Sequence, residues 1–176
     1  VEYFHHFSLM HDDIMDEAPL RRGKQTVHQK FGRNAAILSG DAMMIRCFDL
    51  LLQAGERSGV GARLCELMCK VALEICEGQQ MDMDFEKRTD VTIPEYLKMI
   101  DLKTGVLVAS ALKMGAIIAH AAPRQAQLIY NYGLNLGIAF QLQDDYLDTF
   151  GDDSFGKRIG GDILEGKKTF LVLKTM

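Results

Sequence analysis

Two acidic hexapeptides of one design constrain this chain more than anything else in it. They are His11-Asp12-Asp13-Ile14-Met15-Asp16 and Gln143-Asp144-Asp145-Tyr146-Leu147-Asp148. Each reads Asp-Asp-x-x-Asp inside an apolar stretch with helical periodicity. Three carboxylates on one turn of a half-buried helix repel one another and lose hydration, so such a cluster persists where something positive neutralises it. A pair of them reads as two walls of a site for divalent metal. The donors are all oxygen, which selects hard cations. Magnesium suits them, because it binds through one or two carboxylates and completes its shell with water and phosphate oxygens. Helical geometry places Asp12 and Asp16 on one face and turns Asp13 away by about 100°. Asp144 and Asp148 repeat that spacing. The first and last carboxylates of the first motif are therefore expected to touch metal more directly than the middle one. Neither cluster has the alternating ligands or central glycine of an EF-hand loop.

The rest of the chain reads as helical bundle. Its 176 residues, 48% hydrophobic and 25% charged, are enough for a sizeable core in a single domain over 1–176. Only three prolines interrupt it. The periodicity predicts helices to about Asp16, from Arg33 to Gly55, from Val60 to Glu86, from Thr92 toward His120, from Pro123 to near Thr149, and again from Phe170. A polar loop is expected from Pro19 to Gly32. Thr92-Ile93-Pro94-Glu95 spells a capping box with proline in the first turn. No segment alternates convincingly at period two, so the class is all-α. The net charge of −4 leaves no electrostatic footprint for nucleic acid, and no apolar run is long enough for a membrane span. Cys47, Cys65, Cys69 and Cys76 lack metal-site spacing and are expected to be buried packing in a reducing compartment. Both ends fall inside apolar helical patterns, as expected of a fragment lacking helices before and after.

Cations accompany the acidic motifs. Arg21, Arg22 and Lys24 follow the first, Lys157, Arg158, Lys167 and Lys168 follow the second, and Lys103 interrupts an apolar helix. Acid and base interleaved make a trap for a polyanion, with metal bridging carboxylates to phosphate and the cations taking the remaining oxygens. Plentiful Met and Phe can line an apolar cavity between helices. A diphosphate head on an apolar tail is an isoprenoid diphosphate.

The motifs that bear on this are Leu9 to Asp16, Arg21-Arg22-Gly23, Gly40-Asp41, Gly78-Gln79-Gln80-Met81-Asp82, Lys103-Thr104-Gly105, Phe140 to Asp148, Gly156-Lys157, Gly160-Gly161-Asp162-Ile163 and Lys167. In this order they resemble the trans-isoprenyl diphosphate synthases, or polyprenyl synthetases, along essentially the whole chain. The resemblance implies an isoprenoid-synthase-type helical bundle around a central cavity, here a partial polyprenyl synthetase domain. It also implies a cytoplasmic homodimer, and an allylic diphosphate condensing with isopentenyl diphosphate to a short or medium all-trans prenyl diphosphate. About three magnesium ions per site are implied. Asp12 and Asp16 would hold two and Asp144 a third, supported by Asp13, Asp145 and Asp148. Arg21, Lys103 and Lys157 would grip the allylic diphosphate, and Arg22 and Lys167 would face isopentenyl diphosphate. Thr104 and Gln141 would line the reacting carbons, Gln79 and Asp82 would orient Lys103, and Phe140 would contact substrate. His11 is expected to line the wall or to stand behind the metal ligands.

The family's upstream Gly-Lys-x-x-Arg segment, which binds isopentenyl diphosphate, has no counterpart here, so the chain alone is expected to be inactive or poorly folded, with a longer parent as the enzyme. Family precedent places chain-length control at Phe7 and Ser8, with Phe4 a turn deeper. Geranylgeranyl diphosphate is the first expectation for product and farnesyl diphosphate the second. Two other enzyme readings stand beside this one. A terpene cyclase shares the first motif, but its second normally carries Asn or Asp, Ser or Thr, and Glu. A helical His-Asp phosphohydrolase would use His11-Asp12 but leaves the second cluster unexplained. A non-catalytic subunit of a heteromeric synthase would usually have lost one acidic motif.

Overall fold

Helical periodicity becomes helix through most of the computed structural model, which describes residues 1–151, 160–164 and 166–175. The chain divides into two compact units, Val1–Cys65 and the part from Glu66 onward.

The first unit contains α1 (Glu2–Met15), β1 (Leu20–Arg21), β2 (Lys24–Gln25), α2 (Val27–Phe31) and α3 (Arg33–Glu56). Helix α4 (Gly61–Glu86) starts there and continues into the second unit. Phe4, Ala36, Cys47 and Leu51 are buried in the α1–α3 region. Gly40 of α3 lies under the His11 ring: a Cβ there would stand 2.3 Å from His11 Nε2.

The loop expected between Pro19 and Gly32 instead holds a small antiparallel hairpin, with Leu20 opposite Gln25 and Arg21 opposite Lys24. Its tip is Arg22-Gly23, with φ of 52° and 73°. Positive φ at both central positions is what a tight right-twisted hairpin demands. Two-residue strands are too short to carry a period-two signal.

The second unit adds α5 (Ile93–Ile100), a π-helical turn (Asp101–Gly105), α6 (Val106–Ile118), α7 (Pro123–Phe150), α8 (Gly161–Leu164) and α9 (Phe170–Thr175). The expected capping box starts α5. Thr92 N–H donates to Glu95 Oε2 at 2.8 Å, and Glu95 N–H returns to Thr92 Oγ1 at 3.4 Å. Phe85, Tyr96, Met99 and Ile100 form a core cluster against Ile138, Leu142 and Phe170. At the α6–α7 crossing a Cβ on Gly133 would stand 2.7 Å from the Ala109 Cα, so only glycine allows that approach.

The helix expected to run unbroken toward His120 carries the wide turn at Asp101–Gly105. Two glycines on neighbouring helices admit it. A Cβ on Gly78 of α4 would meet Lys103 N at 2.4 Å, and one on Gly137 of α7 would meet Gly105 Cα at 2.7 Å. Such turns depend on tertiary contacts and recur at functional sites.

The cysteine expectation needs correcting. All four are free, and Cys47 is buried, its thiol pushed up by desolvation. Cys69 and Cys76, however, are exposed. The buried stripe of α4 is Leu64, Met68, Val71 and Ile75. Cys65, Cys69 and Cys76 each lie one position beyond a member of it, hence about 100° around the helix. Among the described residues no helix is long and apolar enough to cross a membrane.

Candidate active site

The first motif closes α1. Asp13 is only 5% exposed, while Asp12 and Asp16 are half-buried. Asp16 caps the helix, its N–H donating to Asp12 O at 2.9 Å. The chain then reverses, tied down by Ala18 N–H to Asp13 O (3.0 Å) and Thr26 Oγ1 to Ala18 O (2.8 Å). The hairpin returns Arg21 to the motif. Its Nε donates to Asp13 Oδ1 at 2.7 Å, and its Nη2 reaches Asp12 Oδ2 at 3.4 Å. Burial pushes the Asp13 carboxyl above the usual carboxylate range, and the Arg21 hydrogen bond and charge partly oppose this.

His11 packs against α3. Its Nε2 lies 3.2 Å from the Ile37 carbonyl of α3 and 3.8 Å from Asp41 Oδ1. Phe7 stacks edge-on between Phe4 and His11, at ring separations of 5.2 and 4.8 Å. Phe4 belongs to the core of the first unit, and Ser8 Oγ donates to the His5 carbonyl at 2.9 Å. Arg22 stands exposed at the hairpin tip.

The second motif is set differently. On α7 both Asp145 and Asp148 are buried, 3% and 4% exposed, and Asp144 is half-buried. Asp145 is held by three protein donors. Tyr96 OH reaches Oδ2 at 2.5 Å, Phe170 N–H reaches the same oxygen at 3.5 Å, and Gln141 Nε2 reaches Oδ1 at 3.0 Å. Asp148 Oδ2 accepts from Asp162 N–H at 3.2 Å, at the start of α8. Asp148 therefore shares its buried side with Asp145, three residues back, rather than with Asp144. Asp144 and Asp148 keep the four-residue spacing on α7, but Asp148 is buried where Asp144 is half-buried.

Lys103 and Thr104 ride on the wide turn and address different neighbours. Lys103 Nζ donates to Asp82 Oδ2 of α4 at 2.6 Å, and Thr104 Oγ1 donates to Gln141 Oε1 of α7 at 3.0 Å. Gly78 lets α4 approach, and Asp82 follows it by one helical turn. Gln79 is half-buried on α4, and Phe140 is exposed on α7. Lys167 is half-buried, with its backbone N–H on Asp162 O at 2.9 Å. Lys157 and Arg158 lie outside the described residues.

The partly exposed motif carboxylates, Asp12, Asp16 and Asp144, offer oxygen alone, which fits magnesium and gives no soft ligand to a thiophilic metal. Among the described residues, the three metal-ligating atoms that already converge, within 4.8 Å, belong to Glu2, His5 and His6 at the exposed start of α1.

Sequence reading missed Tyr96. The signal was present: a tyrosine on the apolar face of α5, beside Met99 and Ile100, must find a partner for its hydroxyl once buried. Desolvation and then the Asp145 charge hold that hydroxyl protonated well above the ordinary tyrosine range.

The family model described as "Polyprenyl synthetase" matches residues 1–176. A short chain isoprenyl diphosphate synthase of Methanothermobacter thermautotrophicus is 44% identical, covering 100% of this chain and 54% of that protein. The crystal structure of a geranylgeranyl pyrophosphate synthase superimposes with a TM-score of 0.93 at 57% identity, over 99% of this chain and 53% of that one. A polyprenyl synthase from Caulobacter crescentus, complexed with calcium and isoprenyl diphosphate, gives 0.91 at 34% identity, over 98% of this chain and 52% of that one. The chain thus spans about half the length of the curated relatives it matches.

Proposed function

This chain belongs to the polyprenyl synthetase family, and from that premise we propose that the full-length gene product is a magnesium-dependent prenyltransferase. It joins an allylic diphosphate to isopentenyl diphosphate. The allylic C–O bond breaks and its electron pair leaves with diphosphate. The isopentenyl double bond attacks the resulting cation, and the released diphosphate takes the proton lost afterwards.

The observation that carries this reading is the wide turn of α5–α6. Lys103 and Thr104 are adjacent there, yet one is aimed by Asp82 and the other is joined to Gln141. A fixed cation for a departing diphosphate thus lies next to a pair of oxygen dipoles for a passing positive charge, which is the pairing that ionisation needs. Arg21 and Lys157 join Lys103 on the allylic diphosphate, while Arg22 and Lys167 face isopentenyl diphosphate. Gln79 and Asp82 orient Lys103, and Phe140 contacts substrate. Asp12, Asp16 and Asp144 hold magnesium, with Asp13, Asp145 and Asp148 fixing the helices that carry them. When bound, magnesium supplies Lewis-acid charge for the leaving group.

Geranylgeranyl diphosphate is the first choice of product, in keeping with the structural relative of that name, and farnesyl diphosphate the second. Phe7 and Ser8, with Phe4 deeper, set the length, within a cytoplasmic homodimer. The test incubates the full-length gene product with magnesium, labelled isopentenyl diphosphate and allylic primers. The expected outcome is a labelled prenyl diphosphate longer by whole isoprene units and abolished by chelation. A cyclised hydrocarbon, or orthophosphate release without chain growth, would overturn the proposal.

A further inference from the structure

The second unit contains a hydrogen-bonded chain that runs from the core to the reacting side: Tyr96 to Asp145, Gln141 to Asp145, and Thr104 to Gln141. We propose that Tyr96 is a positioning residue for prenyl transfer. Its hydroxyl locks Asp145, and Asp145 fixes which end of the Gln141 amide faces Thr104 and the substrate. The inference rests on the prenyltransferase reading and assigns a role to a side chain outside the metal and diphosphate contacts.

A glutamine amide has a donor end and an acceptor end, and only its partners decide which points where. Here the decision comes from Asp145. Its Oδ1 is an acceptor and therefore takes the Nε2 end of Gln141 at 3.0 Å. That leaves Oε1 toward Thr104, whose hydroxyl donates to it at 3.0 Å. The outward-facing group is then a carbonyl oxygen bearing partial negative charge. Reversed, the same side chain would present N–H groups, and a developing carbocation would meet positive charge. The dipole's sign thus depends on Asp145 holding its place.

Asp145 holds its place because of Tyr96. The two contacts on Oδ2 are unequal, 2.5 Å from Tyr96 OH and 3.5 Å from Phe170 N–H. Tyr96 itself cannot drift. It is 1% exposed, and it packs in the cluster of Phe85, Met99 and Ile100. The α5 capping box fixes the helix start four residues before it. A rigid aromatic anchored in the core therefore sets an amide two hydrogen bonds away.

Tyr96→Phe in the full-length protein removes one oxygen and keeps the ring. The expected result is a fall in kcat of about tenfold to hundredfold, with KM for both diphosphates and the magnesium dependence within about twofold, because Tyr96 touches neither substrate nor metal. The Gln141 side-chain amide resonance, identified by its loss in Gln141→Glu, should exchange faster with solvent in Tyr96→Phe. A double-mutant cycle separates positioning from bulk stability. In a Gln141→Ala background, Tyr96→Phe should cost nothing further in kcat.

An unchanged kcat with an unchanged amide signal would overturn the inference, and so would a Tyr96→Phe penalty that persists undiminished in Gln141→Ala. If Tyr96→Phe fails to fold, Asp145→Asn tests the same link by turning a donor toward Gln141. The amide signal should then move, and a stationary one would also overturn the inference. Absence of prenyl transfer in the wild type would remove the catalytic reading, while the amide signal would still report whether Tyr96 governs Gln141.

Discussion

The two Asp-Asp-x-x-Asp motifs are alike in sequence and are held by different physics. The first is restrained by a cation on a hairpin, Arg21, which takes the buried middle carboxylate and reaches its neighbour. The second is restrained by neutral donors: a tyrosine hydroxyl, a glutamine amide and two backbone N–H groups. A motif held by a charged partner answers to salt, and a motif held by neutral donors answers to it less. The first leaves two carboxylates partly exposed, whereas the second leaves only its leading one so. Spacing alone therefore does not say which carboxylates of such a motif face outward.

The sharpest way to break this contrast is at the exposed carboxylates. Asp12→Asn and Asp144→Asn should each lower turnover of the full-length protein by about 10²–10³-fold, with Tm nearly unchanged. Asp148→Asn should instead lower Tm, because it weakens the tie to Asp162. Equal Tm losses in all three would erase the distinction.

Next come the glycines behind each site. Gly78→Ala drives a Cβ into the Lys103 backbone and should cost about 3 kcal/mol in denaturant unfolding. Gly40→Ala meets first the His11 ring, a side chain that can swing aside, and should cost about 1 kcal/mol.

Tyr96→Phe should follow at about 2 kcal/mol, the worth of a hydrogen bond to a buried charged group. Its folded pKa is raised above the ordinary 10.0, so the contribution is fully present below that pH and is lost only as pH rises through the folded value. The penalty should be flat between pH 5 and pH 8 and indifferent to salt.

Arg21→Ala should cost less, about 1–2 kcal/mol at neutral pH, since the Arg21 side chain is 32% exposed. Burial raises the folded pKa of Asp13 above 3.8, so its ionisation lowers stability as pH rises through the folded value. Removing Arg21 enlarges that loss. The gap between wild type and variant should therefore close toward pH 3.8 and shrink in high salt. A gap that persists in acid would mean that Arg21 acts through packing rather than charge.

Much of this was legible in the sequence. The helices followed from 3.6-residue periodicity, the start of α5 from a four-residue cap, and the inward turn of Asp13 from helical spacing. The features that escaped depend on distant chain. Asp148 is buried because Asp162 brings a backbone N–H to it, and helical spacing allows Asp148 to side with Asp144 or Asp145 equally well. The hairpin at Arg22-Gly23 has strands too short to show a pattern. The wide turn is admitted by Gly78 and Gly137, which lie against it, a contact that no local window contains. Tyr96 read as a core aromatic, which it also is; its hydroxyl acquires meaning only with Asp145 beside it.

A π turn is a helix that carries one residue more than its ladder requires. Deleting a single residue within Asp101–Gly105 would let regular α spacing close and leave α5 and α6 still helical. Lys103 and Thr104 could then no longer reach Asp82 and Gln141 together. The scaffold could shed that residue and keep its shape, and what it would lose is the simultaneous reach of two adjacent side chains toward two different helices.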